Sequence, residues 1–139
     1  MKDKIIEFRA VLDEIDWSKM PIGFNGFPRG TCGDISDILA EYLYSIGFSN
    51  ITYVCGERNG GSHAWLEISG LAIDITADQF DDVNEPVLIQ NPKIWHGQFS
   101  DQERRRAGYK HMHGPAIDGI ERVHGEIMKY YSSKGNPCP

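Results

Sequence analysis

The sequence predicts an α+β protein in which an antiparallel β-sheet is packed against helices. Three observations lead to this fold class. Apolar residues recur at helical spacing near both ends of the chain and again over residues 31–46. Residues 63–80 consist of two strand-forming runs separated by Ser69-Gly70, which is the pattern of a β-hairpin. The resulting order of helix, strand and hairpin is typical of an α+β fold and differs from the alternating strands and helices of a parallel sheet.

Length, charge and cysteine content limit the classes of protein to which the chain can belong. Its 139 residues fit one domain, 1–139, and the net charge of −6 disfavours a nucleic-acid partner. No apolar run approaches the roughly 20 residues that span a membrane, so no membrane partner is expected. The three cysteines are an odd number without metal-ligand spacing, which indicates reduced thiols. We therefore expect a cytoplasmic protein, or an effector that is secreted without a signal peptide.

The N-terminal part of the chain predicts a helix followed by a loop. The helix should cover residues 3–16, where apolar residues recur at helical spacing between charged ones: Ile5, Phe8, Leu12 and Ile15. Residues 20–30 are rich in glycine and proline and should form an irregular loop. This loop leads directly to Cys32.

A second helix should cover residues 31–46 and stop at Gly47. Thr31 can cap this helix, with Asp34 in the reciprocal position of a capping box. The apolar stripe of the helix consists of Ile35, Ile38, Leu39, Tyr42, Leu43 and Ile46. Cys32 lies on the same stripe in the first turn, so its thiol should point toward the sheet. The positive partial charge at the helix N-terminus favours the thiolate form of this cysteine.

A strand and a hairpin should form the centre of the sheet. Residues 51–55 are β-branched and aromatic and should form a strand, which a polar loop at 57–62 connects to the hairpin. With a two-residue turn at Ser69-Gly70, Ile68 pairs with Leu71. Side chains alternate between faces along a strand. One face should therefore carry His63, Trp65, Glu67, Ala72, Asp74 and Thr76, and the other Ala64, Leu66, Ile68, Ile73 and Ile75.

The C-terminal half of the chain predicts fewer regular elements. Residues 87–89 should form another strand, and residues 101–109 a short polar helix. Residues 117–131 carry the periodicity of a C-terminal helix, although glycines weaken it. The turn-rich tail 132–139 should be frayed.

The residue types that a thiol enzyme requires occur together in this arrangement. Cys32 would supply a nucleophile at a helix start, His63 a base, and Asp74 a carboxylate that orients the imidazole. His63 and Asp74 become diagonal cross-strand neighbours on one face of the hairpin. Backbone N–H groups at the helix start would form an oxyanion hole that Asn25 completes. The same cleft is predicted to include Thr31, Gly33 and Trp65.

Three segments carry a resemblance to a known family. Gly30-Thr31-Cys32, His63-Ala64-Trp65-Leu66-Glu67 and Asp74-Ile75-Thr76 together resemble the core of the transglutaminase-like superfamily, within the papain-like thiol fold. The resemblance covers residues 30–80. It implies that Cys32, His63 and Asp74 form a catalytic triad and that the reaction passes through a thioester. The implied substrate is an amide of a peptide or protein, as for the proteases, amidases, deamidases and cross-linking enzymes of that superfamily.

Two other interpretations stay open. A catalytically silent binding module of the same fold would hold a peptide between loop 21–31 and the hairpin. A metal-binding protein would use the histidines of the C-terminal half: His96, His111, His113 and His124. Because no acidic or cysteine ligand accompanies these histidines at a fixed spacing, we expect solvated loop residues, with neither a metal nor a cofactor.

Overall fold

The protein has an α+β fold with three helices and a five-stranded antiparallel sheet, within the residues 1–133 that the computed structural model describes. The helices are α1 (Lys2–Glu14), α2 (Cys32–Ser45) and α3 (Ala116–Ser133). The strands are β1 (Thr52–Arg58), β2 (Gly61–Ile68), β3 (Leu71–Asp74), β4 (Leu88–Gln90) and β5 (Ser100–Arg106). Their order across the sheet is β4-β3-β2-β1-β5. No helix among the described residues is long and apolar enough to cross a membrane.

The main core lies between the helices and one face of the sheet. The apolar stripe of α1 is buried there through Ile5, Phe8 and Leu12, and α2 packs across β2. The residues predicted for the apolar face of the hairpin enter the same core: Leu66, Ile68, Ile73 and Ile75. Burial of these side chains supplies the main driving force for folding.

Helix α2 begins at Cys32 and ends before Gly47, as the sequence predicts, but the predicted capping box does not form. The Thr31 side chain makes no capping hydrogen bond, and its hydroxyl donates instead to the Pro28 carbonyl at 3.3 Å. At the other end Gly47 has a φ of +105°, and the Phe48 N–H donates to the Leu43 carbonyl at 3.0 Å. A glycine readily adopts this left-handed conformation, which closes the helix.

The β2–β3 hairpin has the predicted register over the part that is paired. Ile68 lies opposite Leu71 across a turn in which Ser69 and Gly70 both have positive φ. This is the backbone of a type I′ turn, which matches the twist of the two strands. The ladder between β2 and β3 stops at Leu66 and Ile73, whereas the sequence predicted pairing beyond it. Asp74 pairs with Leu88 of β4 on its other side.

A second hairpin replaces the predicted polar loop at 57–62. Strands β1 and β2 pair from Thr52 and Glu67 up to Arg58 and Gly61. Asn59 and Gly60 form the connecting turn, with φ values of 53° and 79°. The loop prediction was therefore wrong for all but these two residues.

Three further predictions for the C-terminal half can be compared with the structure. The predicted strand at 87–89 is present as β4, shifted by one residue. The polar helix predicted over 101–109 is wrong, because Ser100–Arg106 forms the edge strand β5 beside β1. Ser132 and Ser133 belong to the last turn of α3 and not to a frayed tail. The rest of that predicted tail, 134–139, lies outside the described residues.

The second face of the sheet is also covered. A small apolar cluster, which we call the aromatic cluster, consists of Val54, Trp65, Ala72, Phe80, Trp95 and Phe99. The sequence analysis placed the titratable residues of the hairpin on this face and predicted no element that packs against it. His63 and Asp74 are in fact fully buried beside the aromatic cluster.

Candidate active site

His63 is the centre of the candidate site, because each nitrogen of its ring faces a different partner. Its Nε2 lies 2.7 Å from Oδ2 of Asp74. The Cys32 thiol lies near the same imidazole and contributes to raising its pKa. Since Nε2–H donates to the carboxylate, Nδ1 is left as the nitrogen that can exchange a proton with the sulfur. The Gln79 amide nitrogen is 3.3 Å from Nδ1 and also donates to the Thr76 carbonyl at 3.0 Å.

Asp74 is a buried carboxylate whose two oxygens are both used. Oδ1 accepts the backbone N–H of Thr76 at 3.0 Å, and Oδ2 accepts Nε2–H of both His63 and His96 at 2.7 Å each. Burial by itself would raise the pKa of this carboxyl. The nearby His63, with a smaller contribution from His96, instead holds the pKa of Asp74 well below its ordinary value. The carboxylate is therefore charged whenever the protein is folded near neutral pH.

The charge of Asp74 has the opposite effect on His63. Burial of the ring opposes protonation, but the attraction of the carboxylate is stronger, and the Cys32 thiol adds to it. Together these raise the pKa of His63 from 6.5 to about 9. A protonated imidazole beside the thiol is the partner that a thiolate requires.

His96 is a member of the site that the sequence-based prediction missed. It was expected as a solvated loop residue, but its ring is fully buried and packs at a tilt against Trp65, with 4.5 Å between ring centroids. It lies in a 3-10 turn, His96–Gln98, between β4 and β5. Nothing in the local sequence marks it, because only the long-range fold brings this turn to Asp74. Its Nδ1 atom has no partner among the described residues.

Asn25 is not available for the role predicted for it. Its side-chain nitrogen donates to the Trp17 carbonyl at 2.6 Å and to the Met20 carbonyl at 2.9 Å. Both hydrogens of the amide are thus committed to the loop before α2. The prediction that Asn25 completes an oxyanion hole is corrected on this ground.

The other residues predicted for the cleft have different positions. Thr31 is buried and bonded to the loop before α2, so its role is to shape the helix entry. Gly33 lies in the first turn of α2, where a Cβ atom would come within 2.9 Å of the Tyr53 hydroxyl. Trp65 is fully buried beneath the imidazoles, so it supports the site and is not exposed to a substrate, in contrast to its predicted place in the cleft.

The aromatic cluster encloses the His63 ring. Phe80 and Trp95 approach the ring edge-on, with centroids at 5.0 Å and 6.0 Å. The Arg58 guanidinium lies over Phe80 at 4.7 Å and over Trp95 at 5.1 Å, and it is paired with Asp82. This packing excludes water from the Asp74 side of the imidazole, which strengthens the contact between the two charges.

One group of residues in the described part of the chain has the donor atoms for a metal ion, namely His63, Asp74 and His96. Their closest atoms lie within 4.8 Å of one another. The other histidines considered in the sequence do not join this group. His111 and His113 are exposed, as expected for loop residues, while His124 is partly buried and its Nδ1 contacts the Tyr109 hydroxyl.

The chain was compared with protein families, with curated proteins and with solved structures. No family model, no curated protein and no solved structure matches the chain.

Proposed function

We propose that the protein is a cysteine-dependent acyl-transfer enzyme that acts through a thioester on an amide of a peptide or protein. The observation that carries this proposal is the placement of the His63 imidazole between the Asp74 carboxylate, at 2.7 Å, and the Cys32 thiol. The cysteine lies in the first turn of a helix packed on an antiparallel sheet, and the histidine and aspartate lie on adjacent strands. This arrangement supports membership of the transglutaminase-like superfamily and a papain-like core.

The proposed reaction begins with attack of the Cys32 sulfur on the carbonyl carbon of the amide, with the thiol proton held on Nδ1 of His63. The tetrahedral intermediate collapses when the C–N bond breaks, and His63 gives its proton to the departing amine. Water or an amine then attacks the thioester and gives its proton to Nδ1 of His63, the C–S bond breaks, and the sulfur leaves as the thiolate. Asp74 keeps Nε2 protonated throughout and balances the charge of the imidazolium whenever Nδ1 also carries a proton.

His96 has a supporting part in this proposal. A carboxylate oxygen that accepts two N–H groups at 2.7 Å has a fixed direction, because rotation would lose both hydrogen bonds. His96 is therefore proposed as a positioning residue that acts on the imidazole through Asp74. It does not reach the reacting atoms.

The formation of an acyl-enzyme tests the proposal directly. p-Nitrophenyl acetate should acetylate Cys32, detected as one added acetyl group in the intact mass and located by peptide mapping. Cys32→Ala should abolish the adduct, whereas Cys55→Ala is the matched control and should retain it. A protein that binds peptides but forms no adduct on Cys32 would be the silent binding module. Release of ammonia from glutamine-containing peptides would distinguish deamidation from cleavage of the chain.

A buried metal centre is the second candidate, favoured by the clustering of His63, Asp74 and His96. Histidine and carboxylate are ordinary ligands of zinc and of several transition metals. Metal analysis of the purified protein decides between the two. Stoichiometric metal that is lost in His96→Gln would favour the metal centre, whereas metal-free protein that forms the acyl-enzyme would favour the thiol mechanism.

A further inference from the structure

The first turn of α2 offers backbone donors for an oxyanion hole. Backbone N–H groups in the first turn of a helix have no partner within the helix, so those of Cys32 and Gly33 can donate to an oxygen beside the sulfur. A side-chain donor can strengthen such a hole, which is the role the sequence predicted for Asn25. Because Asn25 is committed to carbonyls of its own loop, a side-chain donor would have to come from another element.

Tyr53 of β1 reaches the same turn. Its hydroxyl lies against Gly33, since a Cβ atom built there would be 2.9 Å from the phenolic oxygen. That separation is shorter than any side chain tolerates without movement, so the approach depends on a glycine immediately after Cys32. The hydroxyl therefore lies against the residue that follows the proposed nucleophile in the sequence.

The ring of Tyr53 is held in place from its other side. The Arg105 guanidinium stacks on it with 3.6 Å between its central carbon and the ring centroid. Arg105 is in turn bound to both oxygens of Asp37 in α2, at 2.8 Å and 3.1 Å. Asp37 also accepts the Gly108 N–H at 2.9 Å. These contacts tie the strand that carries Tyr53 to the helix that carries Cys32.

The hydroxyl is free to donate and keeps its proton. Within residues 1–133, the hydrogen-bond partner of the Tyr53 hydroxyl is the Arg105 guanidinium, which can only donate, so the phenolic oxygen accepts there and its O–H remains for another acceptor. Burial raises the pKa of Tyr53 to about 12, and the nearby Cys55 and Cys32 contribute in the same direction. Across the pH range in which His63 is protonated, the phenol remains a hydrogen-bond donor.

We propose that Tyr53 is a catalytic residue whose hydroxyl donates the second hydrogen bond to the oxyanion. The proposal rests on the thioester mechanism above and identifies a further participant in it. As the S–C bond forms, the carbonyl π electrons move to oxygen, which accepts the Cys32 N–H and the Tyr53 O–H. When the C–N bond breaks, the electrons return to the carbonyl. Tyr53 transfers no proton in either step.

Two reactions of the Cys32 thiol distinguish stabilisation of the oxyanion by Tyr53 from an effect of Tyr53 on the reactivity of the thiol. Acylation by p-nitrophenyl acetate passes through an oxyanion, whereas alkylation by iodoacetamide displaces iodide at a saturated carbon and forms none. Tyr53→Phe removes only the hydroxyl and should slow acylation of Cys32 by roughly 10²–10³-fold, the usual effect of losing one oxyanion donor. Its rate of alkylation should stay within about twofold of wild type. Tyr44→Phe is the matched control, because that hydroxyl donates to the Ala107 carbonyl, and both of its rates should be unchanged.

The alternative outcomes are distinguishable. Wild-type acylation in Tyr53→Phe would overturn the proposed role of Tyr53 while leaving the thioester mechanism standing. An equal loss of acylation and alkylation would also overturn it, because the hydroxyl would then act on the thiol. A wild-type protein whose Cys32 neither alkylates rapidly nor acylates would overturn the thioester mechanism itself, and with it the role of Tyr53.

Discussion

At the scale of single residues, the site depends on how Asp74 is buried. A charged carboxylate is costly to bury unless hydrogen bonds replace its water. Three N–H groups meet that requirement, from His63, His96 and the Thr76 backbone. The same hydrogen bonds orient the carboxylate, so stability and geometry at this residue have one cause.

His96 should be replaceable only by a residue that keeps an N–H donor near its Nε2. We expect His96→Gln to retain most of the turnover and the melting temperature. His96→Phe, which leaves one lone pair of Asp74 unpaired, should destabilise the protein by about 1–3 kcal/mol. It should also move the basic limb of the pH–rate profile, because Asp74 would then interact with His63 alone. Equal behaviour of the two variants in turnover, melting and pH profile would show that His96 does not position Asp74.

The raised pKa of His63 links stability to pH. The folded protein favours the protonated imidazole, so this contribution to the free energy of unfolding is fully present below a pH of about 6.5. It is lost as the pH rises through about 9. Urea denaturation should therefore show stability falling over this interval by about 3 kcal/mol. His63→Gln should lack that fall, and a wild-type curve without it would exclude a protonated His63.

At the scale of elements, the helices were predicted correctly from their apolar periodicity, whereas the strand made of polar residues was not predicted. The apolar stripes of α1, α2 and α3 identified all three helices. Strand β5 was missed because most of its side chains are charged or polar and exposed, as is common in edge strands that avoid pairing with other chains. The β1–β2 turn could have been found, since Asn59-Gly60 is a strong hairpin signal that the surrounding polar residues obscured.

Helix α3 contains a glycine whose replacement should stabilise the protein. Gly125 is exposed in the middle of the helix, with no atom within 4 Å of a Cβ built there. Gly125→Ala should raise the free energy of unfolding by about 0.5–1 kcal/mol, because alanine loses less backbone entropy on folding. Gly108→Ala is the contrasting variant, since Gly108 has a φ of +106° and its Cβ would lie 2.6 Å from a Glu41 oxygen. Denaturant midpoints that shift in the same direction for both would contradict this account of α3.

At the scale of the whole molecule, the candidate site lies between the main core and the aromatic cluster. The main core fixes α2 and hence Cys32 on one face of the sheet, while the aromatic cluster encloses His63 and Asp74 on the other. The sequence could indicate Cys32, His63 and Asp74, because their types and the hairpin register are local information. It could not indicate His96 or the position of Tyr53, because these depend on which distant segments the complete sheet brings together.

The rate at which Cys32 is alkylated at neutral pH tests the central claim most directly. Cys55 is an internal control, because it is partly buried and burial raises the pKa of its thiol. Peptide mapping after brief exposure to iodoacetamide at pH 7 should show Cys32 reacting at least about tenfold faster than Cys55. In His63→Ala the rate at Cys32 should fall to that of an ordinary thiol, while the rate at Cys55 stays the same. Equal rates at the two cysteines in the wild-type protein, or a Cys32 rate that His63→Ala leaves unchanged, would contradict the thiolate–imidazolium pair.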